Sequence, residues 1–456
     1  MNKLSVFNKT YIIIITFIGI FLRILWIINI RCIPISDFAT YQKIATNIFM
    51  NKGNSYMGLP VAFQAPGYTM TLGYFYKLFS NNSILLGEFL NVILSSLTLI
   101  VVFFILLKLF RSIPTVLLAY TLTALNINYI AYNSVLGSEI LFTFLFTLII
   151  LLELSNIKFL KKYSLIGFVL ALSALTKPNF LIYILVIFVV DWLKDKDIKL
   201  GIKKFFITLS VFVIFLAPWT YRNFKAYHQL IPVSYNGGYV LFINNNNNNT
   251  TGAWMPISQI HTSKETQRKL KKAGFKYTKS VNLEVKQVML MPKLQNIFSN
   301  EATNWILSHP IKFFNLGIHR LKNTFFSGAA DIYMWCVPSY KSQNFIYSFV
   351  KSNNFKKLGN FNINLLSICG LIYILINIKN IIKGIFNSNI SIDYSVSIPV
   401  INLLFFGIIT FAFEGQARYN FPVLFIFTIC FSNFIITINE KLKTVQNPQF
   451  TIHSEG

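Results

Sequence analysis

Four ionisable residues stand beside long apolar runs: Asp37, Glu139, Lys177 and Arg418. A carboxylate such as Asp37 can take a proton from a hydroxyl or amine, and the rigid fork of Arg418 can hold two oxygens of a phosphate. Lys177 and Arg222 are further cations able to face a phosphate. Glu139 can orient an acceptor, bind a divalent cation or pair with a base. For the cations, ordinary pairing at a membrane interface is the competing explanation. For Asp37 it is a solvated loop carboxylate.

The elements that must position these groups are membrane helices. Of the 456 residues 54% are hydrophobic and only 12% charged, and apolar runs long enough to span a bilayer recur along the chain. The fold class is therefore an all-α polytopic membrane protein. Residues 11–30 form a first span that is too long for a signal-peptide core, and Lys3 and Lys9 place its start in the cytoplasm. The polar loop 31–83 then lies outside, with Ser36 as N-cap of a helix over 37–50 and a second helix over 68–79.

Counting spans in this way gives ten. Lys108 and Arg111, Lys158 to Lys162, the lysines of 191–204, Lys379 and Lys383, and Lys441 and Lys443 mark the cytoplasmic side. Lys177-Pro178-Asn179 makes a tight external turn, and a span over 205–220 emerges at Pro218-Trp219. Asp37, Glu139, Lys177 and Arg418 all fall on the outer side. The chain divides into a transmembrane module over 1–220, an extracytoplasmic region with interface helices over 221–360, transmembrane helices over 361–440 and a cytoplasmic tail over 441–456. Residues 325–350 are aromatic enough to hide a further membrane-embedded element.

Composition excludes several classes. The net charge of +26 is spread among connecting segments instead of forming a nucleic-acid-sized patch, and lipid headgroups or an anionic lipid-phosphate substrate explain it more simply. No nucleotide-binding glycine loop or nucleic-acid module is present. Cys32, Cys336, Cys369 and Cys430 lack metal or CxxC spacing, and two of them, Cys32 and Cys336, fall in outer segments. His228, His261, His309 and His319 show no compact metal spacing, which leaves metal dependence open. The run Asn244 to Asn249 reads as a disordered loop tip.

The order of short motifs resembles the multi-span bacterial glycosyltransferases of the GT-C superfamily, related to protein O-mannosyltransferases and to the aminoarabinose transferase of lipid A. The matching features are Arg23-Ile24, Asp37, Tyr41 and Ala45, Pro66-Gly67-Tyr68, Ser138-Glu139, Lys177-Pro178, Pro218 to Asn223, Gly237-Gly238, His309-Pro310, and Arg418-Tyr419 before Pro422. The resemblance implies a helical membrane module whose outward cavity passes a sugar from a polyprenyl monophosphate to an acceptor. It implies Asp37 as base. Phe38 stands where many relatives have a second acidic residue, and Glu88 where relatives often have arginine.

A phosphate leaving group carries its own charge, so one carboxylate suffices where a glycosidase uses two. The expectation is a transferase of the bacterial plasma membrane, active on the outer side. Its partners would be a polyprenyl-phosphate-linked sugar, a cell-envelope lipid, glycan or exported-protein acceptor, and membrane lipid, with no nucleic acid. Arg418, Lys177 and Arg222 would bind the donor phosphate, and Tyr41, Tyr68, Trp219 and Tyr419 would contact sugar or lipid. A divalent metal at Glu139 is the one candidate cofactor. A polysaccharide transporter or flippase, and a non-catalytic envelope assembly protein, are the alternatives. The first predicts an inverted repeat, and none is evident.

Overall fold

The computed structural model describes residues 5–337 and 344–446, with side chains described through residue 439. Lys3, the side chains of Lys441 and Lys443, and residues 447–456 of the expected tail lie outside the described residues.

Helix α1 (Val6–Asn29) begins at Ser5, whose hydroxyl caps Asn8 N. The first loop folds into α2 (Ser36–Phe49), a hairpin pairing Ser55–Tyr56 with Leu59–Pro60, and α3 (Gly67–Leu78). Ser36 is not the cap expected of it. Its φ is +53°, and the α2 start has no side-chain cap. The chain continues through α4 (Ile84–Leu109), α5 (Ile113–Ala124), α6 (Ile127–Ala131), α7 (Ser138–Glu153), α8 (Phe159–Thr176), α9 (Tyr183–Asp195) and α10 (Ile198–Tyr227). A lobe follows, built of α11 (Gly237–Asn244), α12 (Lys264–Lys272), α13 (Val281–Leu290) and α14 (Leu294–Ser308). Then α15 (Pro310–Phe325), α16 (Phe345–Lys351), α17 (Asn353–Phe386), α18 (Tyr394–Ala412) and α19 (Leu424–Gln446) return to the bundle.

Hydropathy and lysine positions predict ten spans, and α7 and α9 both run between the end that holds Glu139 with Lys177 and the end that holds Asp191 with Lys204. Among the described residues seven helices are long and apolar enough to cross a membrane, or eight if α5 and α6, bent by 43°, make one span. Helices α7 and α9 have 16 and 13 residues, short of the ~20 that cross hydrocarbon. They can be short because protein surrounds them: α7 packs against α4, α8 and the 3-10 turn Ala417–Val423. Irregular backbone at membrane depth is tolerated where protein buries it. Helix α10 does not end at Pro218 but runs on to Tyr227. The segment after it grips this extension, as Trp219 Nε1 donates to Val233 O at 2.7 Å and Asn223 Nδ2 to Ile231 O at 3.0 Å.

Two cores result. The larger joins the bundle helices and takes in Ala329, Ile332 and Cys336, so residues after α15 are embedded in it. The smaller joins Ile44 and Ile48 of α2 to the hairpin, the end of α10 and the lobe through Phe242, Leu270 and Phe298. Cys32 and Cys336 meet without bonding: the Cys32 thiol donates to Cys336 O at 2.9 Å.

The asparagine run, expected to be a disordered tip, is ordered and largely buried. Asn244, Asn245 and Asn246 each turn their amide back to the carbonyl four residues earlier, at 2.9, 2.9 and 3.0 Å. Those carbonyls close α11, where the last turn leaves acceptors without intrahelical partners. The guanidinium of Arg320, fully buried, completes the arrangement. Its Nη2 donates to Asn244 O at 2.6 Å and Asn245 Oδ1 at 2.9 Å, and its Nη1 to Phe411 O at 2.8 Å and Ala412 O at 3.3 Å. The C-termini of α11 and α18 thus converge on one cation, which their dipoles favour. Removing it by Arg320→Ala orphans several buried acceptors at ~1–3 kcal/mol each. The expected outcome is a markedly lower thermal unfolding midpoint, only partly recovered by Arg320→Lys, which lacks the fork. An unchanged midpoint in the alanine variant would refute this role.

Candidate active site

Four short connections meet at one end of the bundle. The α1–α2 loop delivers Asp37 in the first turn of α2. The α6–α7 segment ends at Gly137 and delivers Glu139 in the first turn of α7. The α18–α19 connection, anchored by Arg320 at residues 411–412, delivers Glu414, Arg418 and Tyr419. Lys177 arrives as the extended C-cap of α8, followed by the 3-10 turn Pro178–Ile182, which fits the turn expected at Lys177-Pro178.

Arg418 is the centre of this group. Its Nη2 donates to Asp37 Oδ2 at 3.0 Å across 381 residues of sequence, and Gln64 Nε2 donates to Asp37 Oδ1 at 3.1 Å. The Arg418 side chain is 10% exposed and that of Asp37 41%. The carboxylate therefore faces solvent while the cation is held from behind. What holds it is aromatic: the guanidinium carbon lies 5.5 Å from the Phe38 and Trp335 ring centres and 5.4 Å from that of Tyr419. Phe38 and Trp335 meet edge-on at 5.2 Å. Cation–π attraction of this kind strengthens with desolvation. Arg418 Nε has no hydrogen-bond partner among the described residues.

A second pair flanks the first. Lys177 Nζ donates to Glu139 Oε1 at 2.9 Å, and Lys177 lies 5.9 Å from the Tyr419 ring centre. The Tyr419 hydroxyl donates to Glu414 Oε2 at 2.8 Å, and Gln416 Nε2 to Glu414 Oε1 at 2.5 Å. Burial raises the Glu414 carboxyl above its ordinary range. Two glycines permit these close approaches. A Cβ on Gly137 would stand 2.5 Å from Glu139 Oε2 and 2.8 Å from Phe38 Cε1, and one on Gly67 would stand 2.4 Å from Thr176 Oγ1, next to Lys177.

Asp37, Glu139, Lys177, Arg418 and Tyr419 are brought together, and the Tyr41 and Tyr68 rings meet edge-on at 5.7 Å close behind Asp37. Tyr68 is fully buried and donates to Asn91 Oδ1 at 3.2 Å, so it forms wall and presents no ring face to solvent. Arg222 and Trp219 do not join the group. Arg222 donates to Asn54 O at 2.8 Å and Val61 O at 3.3 Å and lies 4.7 Å from the Trp219 ring centre, bracing the first-loop hairpin against α10. None of their described contacts reaches Asp37 or Arg418.

The metal expectation fits poorly. Among the described residues no three His, Cys, Asp or Glu side chains gather to hold an ion. Asp37 and Glu139 are each neutralised by a side-chain cation, so no step below uses a metal. Sequence reasoning passed over Gln64, Glu414, Gln416 and Trp335, whose only sequence signal is proximity to Asp37, Arg418 or an aromatic run.

No protein-family model and no curated protein sequence matches the chain. Solved structures do. The oligosaccharyltransferase of Archaeoglobus fulgidus, crystallised tethered to an acceptor peptide, aligns at TM-score 0.52 and 14% identity over 97% of this chain and 51% of that one. The same enzyme in complex with Zn and sulfate aligns at TM-score 0.50 and 13% identity over 95% of this chain and 49% of that one. ArnT from Cupriavidus metallidurans, bound to undecaprenyl phosphate, aligns at TM-score 0.42 and 12% identity over 97% and 80%, too low to support an inference. The chain spans about half the length of the oligosaccharyltransferase chains it matches, and it has their helical membrane fold.

Asp331 supports the site from behind. It caps the π-helical turn Ile332–Cys336 that carries Trp335, accepting from Ile332 N at 3.1 Å and from Asn128 Nδ2 at 3.3 Å. Burial pushes its carboxyl up to about 7, against ~3.9 in an unfolded chain. Between those values the folded protein holds the proton more tightly, so stability falls as pH rises from ~4 to ~7 and stays lower above it. Asp331→Asn cannot ionise. Its unfolding midpoint relative to the parent should therefore rise between pH ~5 and pH ~8. A difference independent of pH would remove Asp331 as the source.

Proposed function

We propose that this protein is a glycosyltransferase that moves a sugar from a polyprenyl-phosphate donor to a cell-envelope acceptor on the outer side of a bacterial plasma membrane. The observation that carries the reading is the contact of Asp37 with Arg418 at 3.0 Å, a part-exposed carboxylate against an aromatic-held guanidinium. The order of motifs along the sequence and the shared fold of the oligosaccharyltransferase support it.

In this mechanism the acceptor hydroxyl or amine attacks the anomeric carbon while Asp37 accepts its proton. The bond between that carbon and the phosphate oxygen breaks, and the oxygen leaves on the phosphate. Arg418 Nη2 exchanges its bond to Asp37 for one to the phosphate, and Nε supplies the second arm of the fork. The charge of Arg418 counts toward rate where it meets the leaving phosphate more strongly than the bound donor. Lys177, held by Glu139, adds positive potential beside Tyr419. Displacement by a single nucleophile inverts the anomeric configuration. The donor tail stays in the bilayer, which the surrounding helices bound, while the termini lie in the cytoplasm.

The test is sugar transfer by the purified protein in lipid nanodiscs, across a panel of polyprenyl-phosphate sugars and envelope acceptors. Asp37→Asn should lower the rate ~10²–10⁴-fold, the range of a lost general base. Arg418→Ala should lower it ~10²-fold or more, as loss of a charge-stabilising donor does, with Arg418→Lys between. Both variants should still unfold in a single cooperative transition, which shows that they are folded. Transfer by Asp37→Asn at the parent rate would exclude Asp37 as base, and absence of transfer across a broad panel would favour the transporter alternative.

A further inference from the structure

The lobe carries a strongly cationic face that the transfer chemistry does not use. Residues 264–293 contain nine lysines or arginines against two glutamates. One of those glutamates, Glu284, is buried and accepts from Ile257 N and Ser258 N. The other, Glu265, pairs with Lys269 at 2.6 Å.

Helix α12 organises the rest. Thr266 and Leu270 turn inward, the latter into the lobe core against α14, and Thr266 Oγ1 donates to Glu301 Oε2 at 2.6 Å. At 100° per residue, Lys264, Arg268, Lys271 and Lys272 fall within one arc on the opposite side. All four are exposed, and none makes an ion pair among the described residues. Like charges three and four residues apart repel on a helix. The α12 dipole relieves this only in its last turn.

We infer that the Lys264–Arg268–Lys271–Lys272 face of α12 docks a polyanionic acceptor, a flexible phosphodiester polymer of the cell envelope. Neighbouring positions on the face have Cβ atoms ~5–6 Å apart and carry long side chains, so one chain bearing a phosphate in each short repeat neutralises several together. A bilayer fits the face less well. An interfacial helix inserts a free apolar side among the lipids, and the apolar side of α12 is already buried in the lobe. The lobe also stands at the right end of the molecule. Its core includes Ile44 and Ile48 of α2, the helix whose first turn holds Asp37, and Gly252 O accepts from Gly415 N at 3.1 Å, three residues before Arg418. Only the word acceptor rests on the proposed transfer; the binding does not.

The test measures binding and transfer separately, with the full chain in nanodiscs of neutral phosphatidylcholine. Fluorescence anisotropy follows a labelled poly(glycerol phosphate) oligomer as salt is raised. The variant is K264Q/R268Q/K271Q/K272Q, read beside the double variant K264Q/R268Q, and K199Q/K203Q, which removes two exposed lysines at the other end of the bundle, is the control for the double variant. The lobe variant should bind about tenfold or more weakly, with a shallower salt dependence because fewer counterions are released, while the control binds as the parent does. Transfer to a short uncharged acceptor should be the same in all four. Equal binding by the lobe variant and the parent would overturn the inference. So would a loss confined to phosphatidylglycerol vesicles with polymer binding intact, which would assign the face to a membrane surface. If no acceptor is glycosylated but the binding difference appears, the docking surface stands and the transferase reading fails.

Discussion

Two helices end against each other inside this protein, and the interior offers their last carbonyls no water. That constraint is met by Arg320, which reaches the C-termini of α11 and α18 with one guanidinium. Much follows from it. Residues 411–412 are tied to the lobe, and Gly415 N donates to Gly252 O at 3.1 Å. The connection that carries Glu414 and Arg418 is therefore held at both ends, by α18 with the lobe on one side and by α19 on the other. A cation on a free loop would be positioned by nothing. Here the positioning comes from satisfying helix ends, a requirement present in any helical membrane protein.

The site applies the same economy to charge. Burying a guanidinium beside a carboxylate gains little if both lose their water. In this pair only Arg418 is withdrawn, held by three aromatic rings, and Asp37 keeps 41% of its side chain in contact with solvent. The cation is fixed and its partner can be exchanged. In the proposed mechanism a phosphate replaces the carboxylate at Arg418 without creating a new buried charge. The released Asp37 remains beside Gln64, which donates to its other oxygen.

The opposite end of the bundle has its own charge network, and the contrast is instructive. Asp191 is buried there, pairs with Lys204 at 3.4 Å and accepts from the Tyr163 and Tyr394 hydroxyls at 3.0 and 3.2 Å. Lys204 also pairs with Asp195. These contacts tie α8, α9, α10 and α18 together, and both oxygens of Asp191 have donors. At the Asp37 end, by contrast, Arg418 Nε and Glu139 Oε2 are buried without protein partners.

Hydropathy and the positions of lysines were enough to read an all-helical membrane chain from the sequence, because lipid permits so few backbone solutions. They also placed Asp37, Glu139, Lys177 and Arg418 at one end of it. What the sequence could not supply was anything that depends on which helix ends meet. Helices α7 and α9 fall short of spanning length because neighbours bury them, and α10 passes Pro218 because the segment beyond grips it. The asparagine run reads as disorder in composition, yet it orders because Arg320, far along the chain, needs its acceptors. For the same reason Arg222, equal to Arg418 by residue type, is bound to the hairpin backbone and not to Asp37. Residue chemistry and the solvent of the backbone are local properties and can be read in one dimension; the partner that each charge finds is set by packing, and only the tertiary structure decides it.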